Sequence, residues 1–270
     1  MTSTGFTQKL RSGRLLFGTL IVSPSPMWPA ALAESGLDFV FIDTEHIALD
    51  RAQVSWMCQA YARMGLPPLV RIPAPDPFAA TMALDGGAAG IVAPYVETAA
   101  EVQALRGAVK LRPIKGRRLA QRLAGGAFEP ELEGYMRRRN TGALVVNIES
   151  VPALNALDEI LAVPGLDSVL VGPHDLTCSL GAPEQYDRPE FLAACATIFR
   201  KARAAGVGAG IHYWGSAQEQ ARFLNMGANM LIHSADLTLF RKHLRQELAA
   251  VKAAAGLKPG TRGGAKALNI

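Results

Sequence analysis

The feature that most constrains this chain is an eightfold recurrence. Apolar, β-rich runs appear at "LLFGTLIV" (15–22), "LDFVFID" (37–43), "PPLVRI" (67–72), "AAGIVAP" (88–94), "ALVVNIE" (143–149), "LDSVLVG" (166–172), "GVGAGIH" (206–212) and "ANMLIHS" (228–234). Most follow phrases such as "AESG", "ARMG", "ALDGG", "AVPG", "ARAAG" or "LNMG". In these a helix ends and glycine supplies the left-handed residue beyond its last turn. The runs are continuously apolar, as strands are when both faces of a parallel sheet are covered. Eight strand–helix units predict an α/β fold, a single (β/α)8 TIM barrel. A doubly wound sheet would need a glycine fingerprint after its first strand, and "IVSPSPMW" has none.

Length and composition agree with one barrel domain over 1–255. The remainder, 256–270 ("GLKPGTRGGAKALNI"), is predicted to be a basic, flexible tail. No apolar stretch reaches the roughly 18 residues of a membrane span, and "MTSTGFTQKLRSGR" lacks an apolar signal core, so a cytoplasmic protein is expected. Cys58, Cys178 and Cys195 have no CxxC spacing, which predicts buried free thiols instead of a disulfide framework or structural zinc. The net charge of +5 is concentrated in the long connection between the fourth and fifth strands, where nine basic residues lie between Lys110 and Arg139 against Glu129, Glu131 and Glu133. Without aromatic interleaving this argues for a small anionic substrate, with no nucleic acid and no membrane as partner.

In a barrel of this kind chemistry occurs at the carboxyl ends of the strands. The second strand ends in Asp43, Glu45 and His46, the third in Arg71, the fifth in Glu149, and the sixth in "GPHDL" with His174 and Asp175; Asp85 precedes the fourth. Glu149 and Asp175 terminate adjacent strands. Two hard oxygen ligands with room for water suit Mg2+ or Mn2+, with Co2+ a further candidate, and helix capping is the structural alternative for both acids. Arg71 can bind a carboxylate or steady an oxyanion, and His46 can act as a base oriented by Asp43 or Asp85. His212 and His233 end the last two strands, where a histidine is as often a wall residue as a ligand. No lysine stands at a strand end, which counts against Schiff-base chemistry.

Taken together, "FIDTEH", "LVRIP", the Asp of "ALDGGAAGIVAPYV", "NIES" and "GPHDL" resemble the HpcH/HpaI family of metal-dependent pyruvate aldolases, from about residue 15 to 250. The resemblance implies a carbon–carbon lyase that uses a divalent metal to cleave a 4-hydroxy-2-oxo acid into pyruvate and an aldehyde. Glu149 and Asp175 then resemble its metal ligands, and Arg71 the arginine that stabilises the pyruvate enolate. His46 resembles the base, acting through water on the metal, with Asp43 and Asp85 as supporting acids. Gly172, Pro173 and His174 are expected to line the substrate site. The family's "GxRG" phrase after the fourth strand is replaced by "KGRRLAQRLAGGAF", where Arg117 and Arg118 are expected to receive further carboxylates. That departure keeps open a siderophore-type citrate synthase condensing oxaloacetate with acetyl-CoA on the same fold; a non-catalytic anion-binding barrel is a second alternative, which would predict missing chemistry at the mouth. The family also implies a homo-oligomer, a hexamer built as a trimer of dimers that exchange the C-terminal helix, for which 237–254 is the candidate.

Overall fold

The computed structural model describes residues 3–139 and 142–257. Eight strands pair in sequence order, all parallel, and the eighth closes on the first. They are β1 (Leu16–Ile21), β2 (Phe39–Asp43), β3 (Pro68–Arg71), β4 (Gly90–Ala93), β5 (Ala143–Ile148), β6 (Ser168–Val171), β7 (Gly208–Tyr213) and β8 (Met230–Ala235). Each lies within or one residue beyond its apolar run. From residue 258 onwards the expected tail falls outside the described residues.

The strands are buried on both faces because two apolar layers meet them. Leu20, Phe41, Leu69, Val92, Val145, Leu170 and Ile232 fill the barrel, while Val40, Ile42, Val70, Ile91, Val146 and Val169 join the layer beneath the helices. Alternation along each strand therefore separates two apolar sets, which is why the sequence reads as unbroken runs. Close approach of β4 to β5 requires Gly90, since a Cβ there would stand 2.6 Å from Ala143 Cβ. The amino-terminal end is plugged by the helix Ser3–Ser12, whose Phe6 packs at 5.6 Å on Phe39 and whose Leu10 carbonyl accepts from Asn229 Nδ2. The opposite end stays open.

Several helices that leave that open end start with reciprocal caps. Asp50 with Gln53, Thr98 with Glu101 and Ser216 with Glu219 each form a capping box, worth on the order of 1 kcal/mol apiece. The long connection after β4 folds as three helices, Ala99–Lys110, Gly116–Leu123 and Pro130–Arg138. Leu119 and Leu123 of the second lie against Gly107 of the first. That packing corrects one expectation. Arg118 pairs with Glu129 and Arg122 with Glu133 at 2.8 Å, on the outer helical ring, so neither Arg117 nor Arg118 lines the mouth. A second correction concerns the thiols: Cys58 and Cys195 are buried, but Cys178 is exposed. Among the described residues no helix is long and apolar enough to cross a membrane.

Candidate active site

At the open end a pocket of about 450 Å³ is lined by Phe41, His46, Arg71, Asn147, Gly172, Pro173, His174, Asp175, His212 and Trp214, among others. Every strand from β2 to β7 except β4 contributes to it directly or through the residues that follow, as the fold's geometry requires.

Arg71 ends β3 and is 9% exposed; Asp43 ends β2 in register beside it and is fully buried. Arg71 Nε donates to Asp43 Oδ1 at 2.9 Å and Nη2 to Oδ2 at 2.7 Å. Burial opposes the charge on both, but the hydrogen bonds and mutual attraction prevail: the Asp43 carboxyl falls below its ordinary range and the Arg71 guanidinium is held charged. The guanidinium also rests over the Phe41 ring at 5.5 Å. Its other N–H groups have no protein acceptor among the described residues.

Asp43 was expected to orient His46; instead both its oxygens are engaged by Arg71, and the acid nearest His46 is Glu45. The chain bends after β2, and the Glu45 backbone N–H donates to Asp43 Oδ1 at 2.9 Å. Glu45 Oε1 is 3.5 Å from His46 Nε2 and its Oε2 3.1 Å from Arg71 Nε. Because the single Nε hydrogen goes to Asp43, Glu45 Oε2 is attracted by charge yet accepts no hydrogen bond. His46 itself is half-exposed, with 47% of its side chain open. Asp85 does not join this group. It ends the helix Pro77–Asp85, pairs with Arg112 at 2.7 Å, and lines an outer groove with Arg51 and Ser55. A residue that precedes a strand lies toward the end of the barrel away from the mouth, so within one chain Asp85 is not the partner of His46.

Glu149 follows β5 and is 7% exposed. Its Oε1 accepts from the Tyr95 backbone N–H and its Oε2 from Asn147 Nδ2, both at 2.7 Å. Burial and the neighbouring carboxylates of Asp175 and Glu45 nevertheless push its pKa up to about 7. Asp175 enters from the short helix Pro173–Ser179. Gly172 stands between the two acids: a Cβ there would lie 2.6 Å from Glu149 Oε2 and 3.5 Å from Asp175 Oδ2. No cationic side chain among the described residues lies within ion-pairing distance of either acid, and Asn147 Oδ1 is also buried without a donor. Two converging carboxylates, one held partly protonated for want of a countercharge, form a donor set that fits a hard divalent cation.

Tyr95 was not singled out from the sequence. Its φ of 56° is left-handed, a strained conformation for a residue with a Cβ. This turn aims its N–H at Glu149, and the neighbouring Glu45 carboxylate together with burial pushes the phenol pKa up to about 12.

A family model described as HpcH/HpaI aldolase/citrate lyase matches residues 18–242. The 2-keto-3-deoxy-L-rhamnonate aldolase of Escherichia coli (strain K12) is 33% identical over 254 residues, covering 93% of this chain and 94% of its own. Among solved structures, an HpcH/HpaI aldolase from Desulfitobacterium hafniense DCB-2 superposes with a TM-score of 0.79 at 27% identity, over 95% of this chain and 98% of that one. The citrate synthase SbnG gives the same TM-score and identity over 93% and 98%.

Proposed function

This chain belongs to the HpcH/HpaI aldolase/citrate lyase family and is a carbon–carbon lyase, and from that premise we propose that it cleaves, and in reverse condenses, a 4-hydroxy-2-oxo acid to pyruvate and an aldehyde. One observation carries the reading: a buried guanidinium and Asp175 line one pocket, and Glu149, without an ion-pairing partner, converges on Asp175 across Gly172. The 2-keto-3-deoxy-sugar-acid activity named for the relative supports a substrate of that type.

Glu149 and Asp175 would hold a divalent cation, Mg2+, Mn2+ or Co2+. Such an ion would supply Lewis-acid polarisation of a bound 2-oxo acid. Arg71 supplies the complementary charge. Asp43 fixes its plane by a two-point clamp, so its free N–H groups are preorganised for the oxygen on which enolate charge develops. His46 takes the proton of the 4-hydroxyl as the carbon–carbon bond breaks and returns it in the condensation, with Glu45 orienting the ring and stabilising its protonated form. Gly172, Pro173 and His174 form the wall against which the carboxylate end rests.

Incubating the purified protein with pyruvate, an aldehyde and each cation tests this. A new 4-hydroxy-2-oxo acid, and exchange of the pyruvate methyl protons in D2O, are expected; absence of exchange with every cation refutes the pyruvate-enolate reading. The likeness to SbnG supports citrate synthase chemistry as the second reading. Release of free thiol from acetyl-CoA with oxaloacetate, faster than the aldol reaction, would favour it.

We further propose a homo-oligomer, a trimer of dimers. The helix Asp236–Ala254 exposes Leu237, Phe240, Leu244, Leu248 and Val251 along one stripe, an apolar face that a second copy of the chain would cover.

A further inference from the structure

β7 carries a histidine that the chemistry above does not use. His212 lines the mouth pocket and touches Phe41, the ring on which Arg71 lies, with centroids 5.9 Å apart. Trp214 packs on the His212 ring in a T-shaped arrangement with centroids 5.5 Å apart. His212 and Arg71 thus flank one aromatic ring and line the same pocket.

The protonation state of this imidazole is fixed by its neighbours. His212 Nε2 is 3.1 Å from the Ser234 carbonyl oxygen. A carbonyl only accepts, so Nε2 carries the hydrogen and Nδ1 is left with a lone pair. The arrangement has a visible backbone origin. The register of β1 against β8 slips between Gly18 and Leu20, and Ser234 adopts a left-handed φ of 53°. Thr19 Oγ1, within the slip, donates to the His233 carbonyl at 2.7 Å. Bulges beside functional sites commonly re-aim one group, and here the re-aimed group is the carbonyl that holds His212. Partial burial against the barrel wall and the nearby Arg71 charge push the imidazole pKa down to about 4, so the ring stays neutral across the physiological range. Nδ1 has no protein partner among the described residues, yet it is not sealed from solvent, and the residue lines the pocket.

We propose that His212 is a specificity-determining residue, a neutral hydrogen-bond acceptor at Nδ1 for a hydroxyl group on the aldehyde half of the substrate. The inference rests on the aldolase reading and extends it, because it selects hydroxyaldehydes over alkyl aldehydes of the same length. Arg71 and the two-carboxylate pair serve the anionic half and present nothing that distinguishes these aldehydes. Phe41 and Trp214 supply an aromatic wall for the carbon chain. An acceptor within that wall leaves a buried lone pair unmet when the partner is alkyl, and meets it when the partner carries a hydroxyl.

The test compares kcat/KM for condensation of pyruvate with D-glyceraldehyde and with propanal. The two reactions share the enolate step, so their ratio isolates the aldehyde subsite. His212→Leu, or His212→Phe should the leucine variant fail to fold, is expected to lower the glyceraldehyde-to-propanal ratio by about tenfold or more. His212→Asn, which keeps an acceptor, is expected to recover part of it. An unchanged ratio in the variants lacking an acceptor overturns the proposal, as does a wild-type protein without preference. Exchange of pyruvate methyl protons by the wild type reports separately on the underlying reading: without it, aldolase function and the subsite fall together; with it, the ratio alone decides.

Discussion

Arg71 is gripped by Asp43 through two parallel hydrogen bonds of 2.9 and 2.7 Å, in a position where neither side chain has appreciable contact with bulk water. Breaking a buried ion pair from one side leaves an uncompensated charge, at a cost of roughly 3–5 kcal/mol. Asp43→Asn is therefore expected to lower stability by that order and to reduce kcat/KM strongly, because the guanidinium loses its fixed plane. Arg71→Lys keeps the charge but cannot form the two-point clamp, and should lose activity with a smaller stability change. Denaturant titration beside steady-state kinetics checks both; full activity in Asp43→Asn would show that the clamp does not preorganise the arginine.

The Glu149 carboxyl makes a pH prediction with a definite sign. Its pKa in the fold, about 7, lies above the ordinary glutamate value of 4.5. Between those values the native state retains a proton that the unfolded chain has released, so the group's penalty is absent below about pH 4.5 and complete above about pH 7. In cation-free protein, Glu149→Gln is expected to be more stable than the wild type at pH 8, on the order of 1–3 kcal/mol, and equal to it near pH 4. Adding Mn2+ should stabilise the wild type and not the variant. Urea titrations at both pH values, with and without the cation, read all four outcomes.

Gly172 gives an independent check on the same pair. Its φ of −88° is one any residue adopts, so the reason for glycine is space: a Cβ would press on Glu149 at 2.6 Å. Gly172→Ala is expected to weaken cation binding about 10–100-fold by displacing Glu149, while the protein remains folded. Calorimetric titration with Mn2+ measures it, and an unaltered affinity would mean that the Glu149 carboxylate is not a ligand.

Half-exposure of His46 makes it reachable from solution. His46→Ala is expected to lower kcat for aldol cleavage by about 10²–10⁴-fold, the usual loss on removing a general base. Added imidazole should restore part of the rate. Rescue that leaves kcat flat with imidazole concentration would argue that His46 positions substrate without moving a proton.

What the sequence discloses and what it hides follow from geometry. Strand ends were legible because each apolar run stops where the backbone leaves the core, which placed Arg71, Glu149 and Asp175 at one mouth. Glu45 lies just past the end of its strand, in a bend closed onto Asp43, and nothing in the residue order says which acid Arg71 will claim. Asp85 misled because a conspicuous acid before β4 sits at the wrong end of that strand, where Arg112 holds it. Arg117 and Arg118 misled because charge in a long connection says nothing about the helix that Leu119 and Leu123 dock onto Gly107. Tyr95 depends on a left-handed turn, and the acceptor nitrogen of His212 on a register slip between β1 and β8, beside the strand that carries it. Both are backbone events that residue types do not encode locally.

The helix Asp236–Ala254 carries the last expectation. Leu237, Phe240, Leu244, Leu248 and Val251 recur at helical spacing, and all are exposed, Val251 at 63%. A stripe this long on a free surface would be an aggregation hazard in a monomer, whereas a second copy laid against it buries it at a favourable 20–33 cal/mol per Å². Replacing Leu244 and Leu248 together by Glu sets two charges into that seam without touching the barrel, because neither side chain belongs to a core cluster. Sedimentation velocity is expected to show an oligomer for the wild type and a smaller species for the double variant, with the barrel's circular dichroism retained. If the wild type sediments as a monomer, the stripe has another occupant; if the double variant assembles as before, the interface lies on a different face.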